Sequence, residues 1–92
     1  MGAAHLFETL QTALVPRGGA GAVSHGVLVL LLAPDELLPA VRRLRDEFDF
    51  DVFLDVTAID WLGQPQAAAA RFEVVHHFYS SSHNRRVRLK TR

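Results

Sequence analysis

The stretch from Phe48 to Trp61, FDFDVFLDVTAIDW, decides the fold of this 92-residue chain. Its side chains alternate between an apolar and a mixed set, which are Phe50, Val52, Leu54 and Val56 against Asp51, Phe53, Asp55 and Thr57. A period of two is typical of a strand whose two faces meet different surroundings. One apolar face indicates a mixed or antiparallel sheet covered by helices on one side. The stretch therefore predicts an α+β, two-layer domain of which it is the central strand.

A second segment, residues 71–90 (RFEVVHHFYSSSHNRRVRLK), predicts two further strands joined by a polar turn. In the first strand two sets alternate, namely Phe72, Val74, His76 and Phe78 against Glu73, Val75, His77 and Tyr79. The final strand places Val87, Leu89 and Thr91 on one face and Arg86, Arg88, Lys90 and Arg92 on the other. The residues between the two segments, 63–70, are expected to form a connection without a stable helix.

Upstream, the apolar spacing within His5–Leu14 predicts an amphipathic helix. The GGAGA stretch that follows lacks the strand-to-helix context of a phosphate-binding loop, and a plain turn is expected. Residues 22–25 and 27–32 are predicted to be strands around Gly26, the second inside the sheet with both faces covered.

A second helix is expected to begin near Pro34, with Pro39 in its first two turns. Its predicted buried face consists of Leu37, Leu38, Val41, Leu44 and Phe48. The chain order is therefore α-β-β-α-β-β-β, with about five strands in one mixed sheet and both helices on one face. The prediction is a single domain, residues 1–92.

The composition is that of a globular protein, with 49% hydrophobic and 22% charged residues and no cysteine. A chain without cysteine has no disulfides and no thiolate metal ligands, which favours a cytoplasmic location. The apolar run at residues 26–33 is too short to span a bilayer. Net charge is zero, but most acidic residues lie within 35–60 and half of the basic ones within 85–92. This segregation favours oriented docking to a partner.

Neither the histidines nor the aspartates form a recognisable reactive site. His76 and His77 are adjacent on a strand and point to opposite faces, so they cannot bind one metal ion together with His83. His76 is expected to be a hydrogen-bonded sheet residue and His77 a surface residue. Asp51 and Asp55 are roughly 13 Å apart along a strand, too far for a cooperating acid and base. Structural roles are expected for these aspartates and for Asp60. No catalytic, cofactor-binding or metal-binding residue is predicted.

The four basic residues Arg86, Arg88, Lys90 and Arg92, here called the basic stripe, give the best indication of a binding surface. Such a stripe on an edge strand protects it from aggregation, and it is the predicted subunit-docking edge. Nucleic-acid binding is an alternative, although sheets that bind RNA combine such charges with exposed aromatic residues on which bases stack. No aromatic residue interleaves these arginines.

The combination of DVTAIDW, a linker, RFEVVHHFYS and RRVRLK, preceded by LLPAVRRLRDEFDF, resembles the N-terminal domain of the NuoC-type subunit of NADH:quinone oxidoreductase, respiratory complex I. The resemblance covers residues 33–90. It implies a scaffold and assembly subunit of the peripheral arm, without a cofactor or catalytic activity of its own. The complex passes electrons from NADH to quinone, coupled to ion translocation.

The resemblance further implies contact with the quinone-site and iron–sulfur subunits and a peripheral position on the cytoplasmic side of the inner membrane, with no nucleic acid bound. The related membrane-bound hydrogenases have a similar domain, so their equivalent subunit is a second alternative. The sequence departs from the family at His76, where tyrosine is common. The family also continues past the last strand, so this chain is expected to be the N-terminal part of a longer subunit that lacks its C-terminal tail.

Overall fold

The computed structural model describes residues 3–14, 20–68 and 70–92. In chain order the helices and strands are α1 (Ala3–Leu14), β1 (Ala20–Ser24), β2 (Val27–Leu32), α2 (Pro34–Phe48), β3 (Val52–Asp60), β4 (Phe72–Ser80) and β5 (Arg85–Thr91). A short 3₁₀ turn, Pro65–Ala68, lies in the β3–β4 connection. This is the predicted α+β order, with β1 beginning two residues earlier than expected and α1 extending from Ala3.

The five strands form one mixed sheet in the order β1-β2-β5-β4-β3. β1–β2, β4–β5 and β3–β4 are antiparallel pairs, whereas β2 and β5 run parallel, with Leu30 opposite Leu89. A parallel pair needs a long crossover, and here α2, β3 and β4 form it. The His25–Gly26 turn that joins β1 to β2 has positive φ angles of 52° and 77°, as a two-residue hairpin turn requires.

The core lies between the two helices and one face of the sheet. It contains Leu6, Phe7, Leu10 and Leu14 of α1, Ala40 and Leu44 of α2, Phe50, and the strand residues Leu28, Leu30, Leu32, Phe78, Val87 and Leu89. Burial on β2 and β5 alternates strictly, so only one face of each strand is covered. The predicted two-layer arrangement is confirmed. The expectation that β2 is covered on both faces is wrong, because Val29 and Leu31 remain partly exposed.

α2 begins and ends with recognisable local signals. The Glu36 carboxylate accepts a hydrogen bond of 2.9 Å from the Ala33 N–H, which is half of a capping box, since alanine has no side-chain acceptor. Asp49 follows in the left-handed region, with φ 60°, and ends the helix. Pro39 lies in the second turn, as predicted. Leu38 is 57% exposed, so its predicted place on the buried face is wrong.

Close packing between α1 and the sheet requires a glycine at position 21, within the glycine-rich stretch. Gly21 lies in β1, where an added Cβ would come within 2.6 Å of the Gln11 side chain and 2.9 Å of Leu30. The glycine therefore lets α1 approach the sheet closely. The plain turn predicted for GGAGA is wrong for its last residues, which belong to a strand. Gly18 and Gly19 lie outside the described residues.

The sequence predicts β3 as the central strand and β5 as an edge strand, and the structure shows the reverse. β3 is an edge strand, paired only with β4, and is largely exposed on both faces. β5 is the middle strand, hydrogen-bonded to β2 and β4. Alternation reports which side chains share a face, but not how many neighbours a strand has. A charged face is tolerated in the middle of this sheet because neither α1 nor α2 covers that side and long cationic side chains extend to water.

A β-bulge also changes which residues of β3 share a face. Phe53 lies opposite Phe78 and Val56 opposite His76, with the register shift falling between Phe53 and Asp55. Phe53 and Val56 therefore lie on the helix side, although strict alternation puts them on opposite faces. Val52 lies opposite Tyr79 and therefore on the other side of the sheet from Val56, so the predicted apolar face of Phe50, Val52, Leu54 and Val56 is wrong.

We predict that Leu89→Ala destabilises the domain by about 2–5 kcal/mol, because Leu89 is fully buried in the middle strand and its truncation leaves a cavity. Denaturant unfolding followed by circular dichroism measures the change. The matched control is Val23→Ala, since Val23 is 58% exposed on the edge strand β1, and a change within about 0.5 kcal/mol is expected. Equal losses in the two variants would contradict the assigned core.

Candidate docking surface

The basic stripe lies on the face of the sheet opposite α1 and α2, here called the open face. Val87, Leu89 and Thr91 of β5 are buried against the helices, so the alternating residues Arg86, Arg88, Lys90 and Arg92 point the other way, as the sequence predicts. The stripe follows the middle of the sheet and not its edge. Its four residues nevertheless divide into two pairs with different surroundings.

Lys90 and Arg92 are engaged by Glu73 of β4, the most buried charged residue among those described. Glu73 is 1% exposed, and its Oε2 accepts a 2.8 Å hydrogen bond from Arg92 Nε. Lys90 Nζ lies 3.2 Å from Oε1, an ion pair without hydrogen-bond geometry. Burial raises the pKa of the Glu73 carboxyl, but the hydrogen bond from Arg92 and the positive charges of Lys90 and Arg92 outweigh it and hold the pKa below its usual value. This half of the stripe therefore stabilises the fold.

Arg86 and Arg88 form no ion pair with any residue in the described ranges. Arg86 is exposed opposite Tyr79, and Arg88 is partly exposed opposite His77. Burial and the charge of Arg88 lower the pKa of His77 and so favour the neutral form of its imidazole. These two arginines are the part of the predicted docking set that is available for a partner.

The two neighbouring histidines do point to opposite faces, but His77 and not His76 has a hydrogen-bond partner for its ring among the described residues. His77 is half-buried on the open face, where its Nε2 lies 3.3 Å from the Thr57 hydroxyl. His76 lies on the helix side, and its buried Nδ1 has no hydrogen-bond partner among the described residues. His83 lies apart from both, with its ring 6.2 Å from that of Phe50.

The three aspartates singled out in the sequence have structural partners. Asp51 accepts hydrogen bonds from the Ser81 N–H at 2.9 Å and from the Ser81 hydroxyl at 2.5 Å, fixing the β4–β5 turn. Asp60 accepts two hydrogen bonds of 3.0 Å from Arg71, closing the β3–β4 connection. These bonds lower the pKa of both carboxyls. Asp55 accepts a hydrogen bond from the Val56 N–H. The expected structural roles are confirmed.

A second exposed surface is absent from the sequence-based prediction. Phe53, Val56 and Phe72 are 57%, 49% and 52% exposed. By strand register all three lie on the helix side of the β3–β4 pair, beyond the area that α1 and α2 cover. Exposed apolar residues clustered in this way are typical of an interaction site. Strict alternation hid the cluster, and only the bulge and the strand order reveal it.

Within residues 3–14, 20–68 and 70–92, no three histidine or acidic side chains come together in a way that could hold a metal ion. Neither α1 nor α2 is long and apolar enough to cross a membrane.

Comparison with known proteins gives a consistent assignment. The family described as "Respiratory-chain NADH dehydrogenase, 30 Kd subunit" matches residues 30–92. The chain is 37% identical over 87 residues to the NADH-quinone oxidoreductase C subunit of Methylobacterium sp. (strain 4-46), covering 92% of this chain and 37% of that protein. It is 38% identical over 89 residues to the corresponding protein of Rhodopseudomonas palustris (strain BisB18), covering 95% of this chain and 43% of that protein. The chain thus spans about two fifths of the length of these relatives.

Two solved structures share the fold. A trypsin-resistant fragment (1-134) of Nqo5 superposes with a TM-score of 0.75 at 17% identity, covering 96% of this chain and 67% of the fragment. A chain of the membrane-bound sulfane sulfur reductase, an archaeal respiratory membrane complex, superposes with a TM-score of 0.73 at 20% identity. That match covers 97% of this chain and 48% of the other.

We predict that Glu73→Gln lowers the free energy of unfolding at pH 7 by about 1–3 kcal/mol, because it removes the charge that pairs with Lys90 and Arg92. The folded-state pKa of Glu73 lies below its usual value of 4.5. Its stabilisation is therefore complete above that value and is lost as the pH falls through the folded-state pKa. Denaturant unfolding of both proteins between pH 7 and pH 3 should show the difference shrinking in acid.

The control for this prediction is Glu47→Gln, which removes an ion pair with Arg43 between half-exposed side chains. Its cost should stay within about 0.5 kcal/mol at every pH. A cost for Glu73→Gln that does not change with pH would contradict the role given to its charge.

Proposed function

Because the chain belongs to the family of the 30 kDa subunit of respiratory-chain NADH dehydrogenase, we propose that it is a scaffold subunit of the peripheral arm of an NADH:quinone oxidoreductase. In that complex it supports electron transfer from NADH to quinone, coupled to ion translocation, by holding neighbouring subunits in position. The observation that carries the proposal is the 37% identity over 87 residues, which extends across 92% of this chain.

The proposed role is one of contact and not of chemistry, and the chain is proposed to bind no cofactor of its own and to catalyse no reaction alone. The use of its charged groups supports this role. Asp51, Asp60 and Glu73 are each engaged in bonds that join separate parts of the chain. Such bonds tie the β4–β5 turn, the β3–β4 connection and the end of β5 to the rest of the domain, which suits a positioning subunit. We further propose that the chain is part of a longer subunit.

The proposed partners are the quinone-site and iron–sulfur subunits, with the assembly lying on the cytoplasmic side of the inner membrane. Arg86 and Arg88 are proposed to meet acidic residues of a partner on the open face. They are the two members of the basic stripe that Glu73 does not engage, and charge complementarity of this kind orients docking. Lys90 and Arg92 are instead held by Glu73 and stabilise the strands that carry this surface.

We predict that the double substitution Arg86→Glu and Arg88→Glu reduces recovery of the partner subunits at least about tenfold, since opposed like charges cost several kcal/mol at an interface. A tagged version of the protein is expressed in its source organism. Co-purifying iron–sulfur and quinone-site subunits are quantified by mass spectrometry, and NADH:quinone activity is measured on the same material.

The matched control is Arg86→Lys with Arg88→Lys, which keeps both charges. It should retain most of the recovery, and thermal unfolding should show that both double variants are folded. If the glutamate variant recovers partners as well as the original protein does, the docking role of these arginines is excluded. If the original protein itself recovers neither class of subunit, the scaffold function is excluded.

A further inference from the structure

A cavity of about 350 Å³ lies on the open face, at the end of the basic stripe that carries Lys90 and Arg92. Its floor is apolar and comes from the β1–β2 hairpin. Val29 and Leu31 point into the open face because Leu30, between them, is fully buried beneath the helices. The volume is at the lower end of the range for ligand sites, roughly 300–1,000 Å³, so the cavity suits a small group.

The β3–β4 connection lines the opposite side of the cavity with Trp61 and Gln66. A 2.7 Å hydrogen bond from the Trp61 backbone N–H to the Arg71 carbonyl holds the tryptophan at the end of β3. The Nε1–H of its indole ring is buried and has no hydrogen-bond partner among the described residues. An indole N–H can only donate, so the partner that it lacks is a hydrogen-bond acceptor.

The charged residues that line the cavity sum to one positive charge. Glu73 is the acidic residue among them, and it is paired with both Lys90 and Arg92. Arg92 uses its Nε for this pair, which leaves its two terminal nitrogens as donors. Lys90 Nζ lies 3.2 Å from Glu73 Oε1 without hydrogen-bond geometry, so its three N–H groups remain as well. The cavity therefore offers more donors than acceptors, and one monoanion neutralises it.

We infer that this cavity is a binding site for a carboxylate carried on a short apolar chain. The carboxylate accepts hydrogen bonds from Lys90 and Arg92, and its apolar chain lies on Val29 and Leu31. A carboxylate beside Trp61 is also the kind of group that its indole N–H lacks. The site is independent of the proposed function, because residues of this chain alone define it.

Other classes of ligand fit the cavity less well. A metal or organic cation is disfavoured, because the carboxylate of Glu73 already has two positive partners. A phosphate group carries nearly two negative charges at pH 7, about one more than the cavity neutralises. A carboxylate matches the net charge, and its hydrogen bonds with an ammonium or guanidinium group belong to the strong, charge-assisted class.

The first test follows the cavity with a unique signal, since the chain contains a single tryptophan. Butyrate is titrated into the ¹⁵N-labelled protein at constant ionic strength, and the indole N–H resonance of Trp61 is followed by NMR. We expect a saturable shift with a Kd on the order of 1–10 mM, as is usual for so small a ligand. Butyramide, which has the same shape without the charge, should bind at least about tenfold more weakly.

Two substitutions test the apolar and the charged parts of the site. Ala22 is exposed on the cavity floor, so Ala22→Leu fills the cavity without changing any charge and should weaken butyrate binding at least about tenfold. Lys90→Gln should weaken it to a similar extent. The matched control is Val23→Leu, on the other face of β1, which should bind normally. Thermal unfolding checks each variant, and Ala22→Leu decides the outcome if Lys90→Gln is unfolded.

A carboxylate of this kind has two sources, an acidic side chain of a neighbouring polypeptide and a free short-chain carboxylic acid. A carbodiimide distinguishes them in the assembled complex, because it couples an amine directly to an adjacent carboxylate and Lys90 is the only lysine of the chain. A Lys90 peptide joined to an acidic residue of another subunit identifies the side chain as the ligand. Butyrate binding without such a link identifies the free acid.

Three outcomes would overturn the inference. They are an indole resonance that does not respond to butyrate, equal affinity for butyramide and butyrate, and unchanged butyrate binding in Ala22→Leu. Each of them leaves the proposed function untouched, because that function is tested separately by the recovery of partner subunits with the original protein.

Discussion

Coverage of the sheet on one side only is the constraint on which the rest of the structure depends. Two helices supply enough apolar surface to bury one face of β2 and β5 and part of β4, and neither of them reaches the other face. Each interior strand must therefore be apolar on one side and compatible with water on the other. β5 meets this requirement with valine and leucine beneath the helices and with long cationic side chains on the open face.

The same constraint explains why Glu73 can be buried. An ionised carboxylate under a helix layer would be costly, but on the open face it is covered by the side chains that neutralise it. Lys90 and Arg92 contribute both the charge and the apolar stems that exclude water from β4. The basic stripe is thus partly a structural device, and Arg86 and Arg88 remain for the proposed recognition.

The exposed β3 edge of the sheet is a second consequence of the limited helix layer. Since the two helices lie toward β2 and β5, the β3–β4 pair carries apolar side chains that its own chain leaves half-exposed. A free-standing protein gains nothing from such a surface, whereas a subunit gains an interface. The open face carries charged side chains and the helix side carries exposed apolar ones, so the domain presents two chemically different surfaces to its surroundings. This arrangement suits a protein that positions several neighbours at once.

The sequence by itself determined the fold class, the chain order and the residues that share a face in α1, β4 and β5, because these features follow from short-range periodicity and helix-terminal signals. The resemblance carried by DVTAIDW and RFEVVHHFYS likewise identified the family that the match to residues 30–92 establishes. Only the tertiary structure decided that β5 is the middle strand and β3 the edge, since the number of neighbours of a strand depends on long-range pairing. It also decided the side of Phe53 and Val56, because one bulge reverses the alternation, and the partner of Glu73, which lies 19 residues from Arg92 in the chain. Local alternation already identifies the basic stripe, whereas its division into the pair that Glu73 engages and the pair Arg86 and Arg88 follows from long-range pairing.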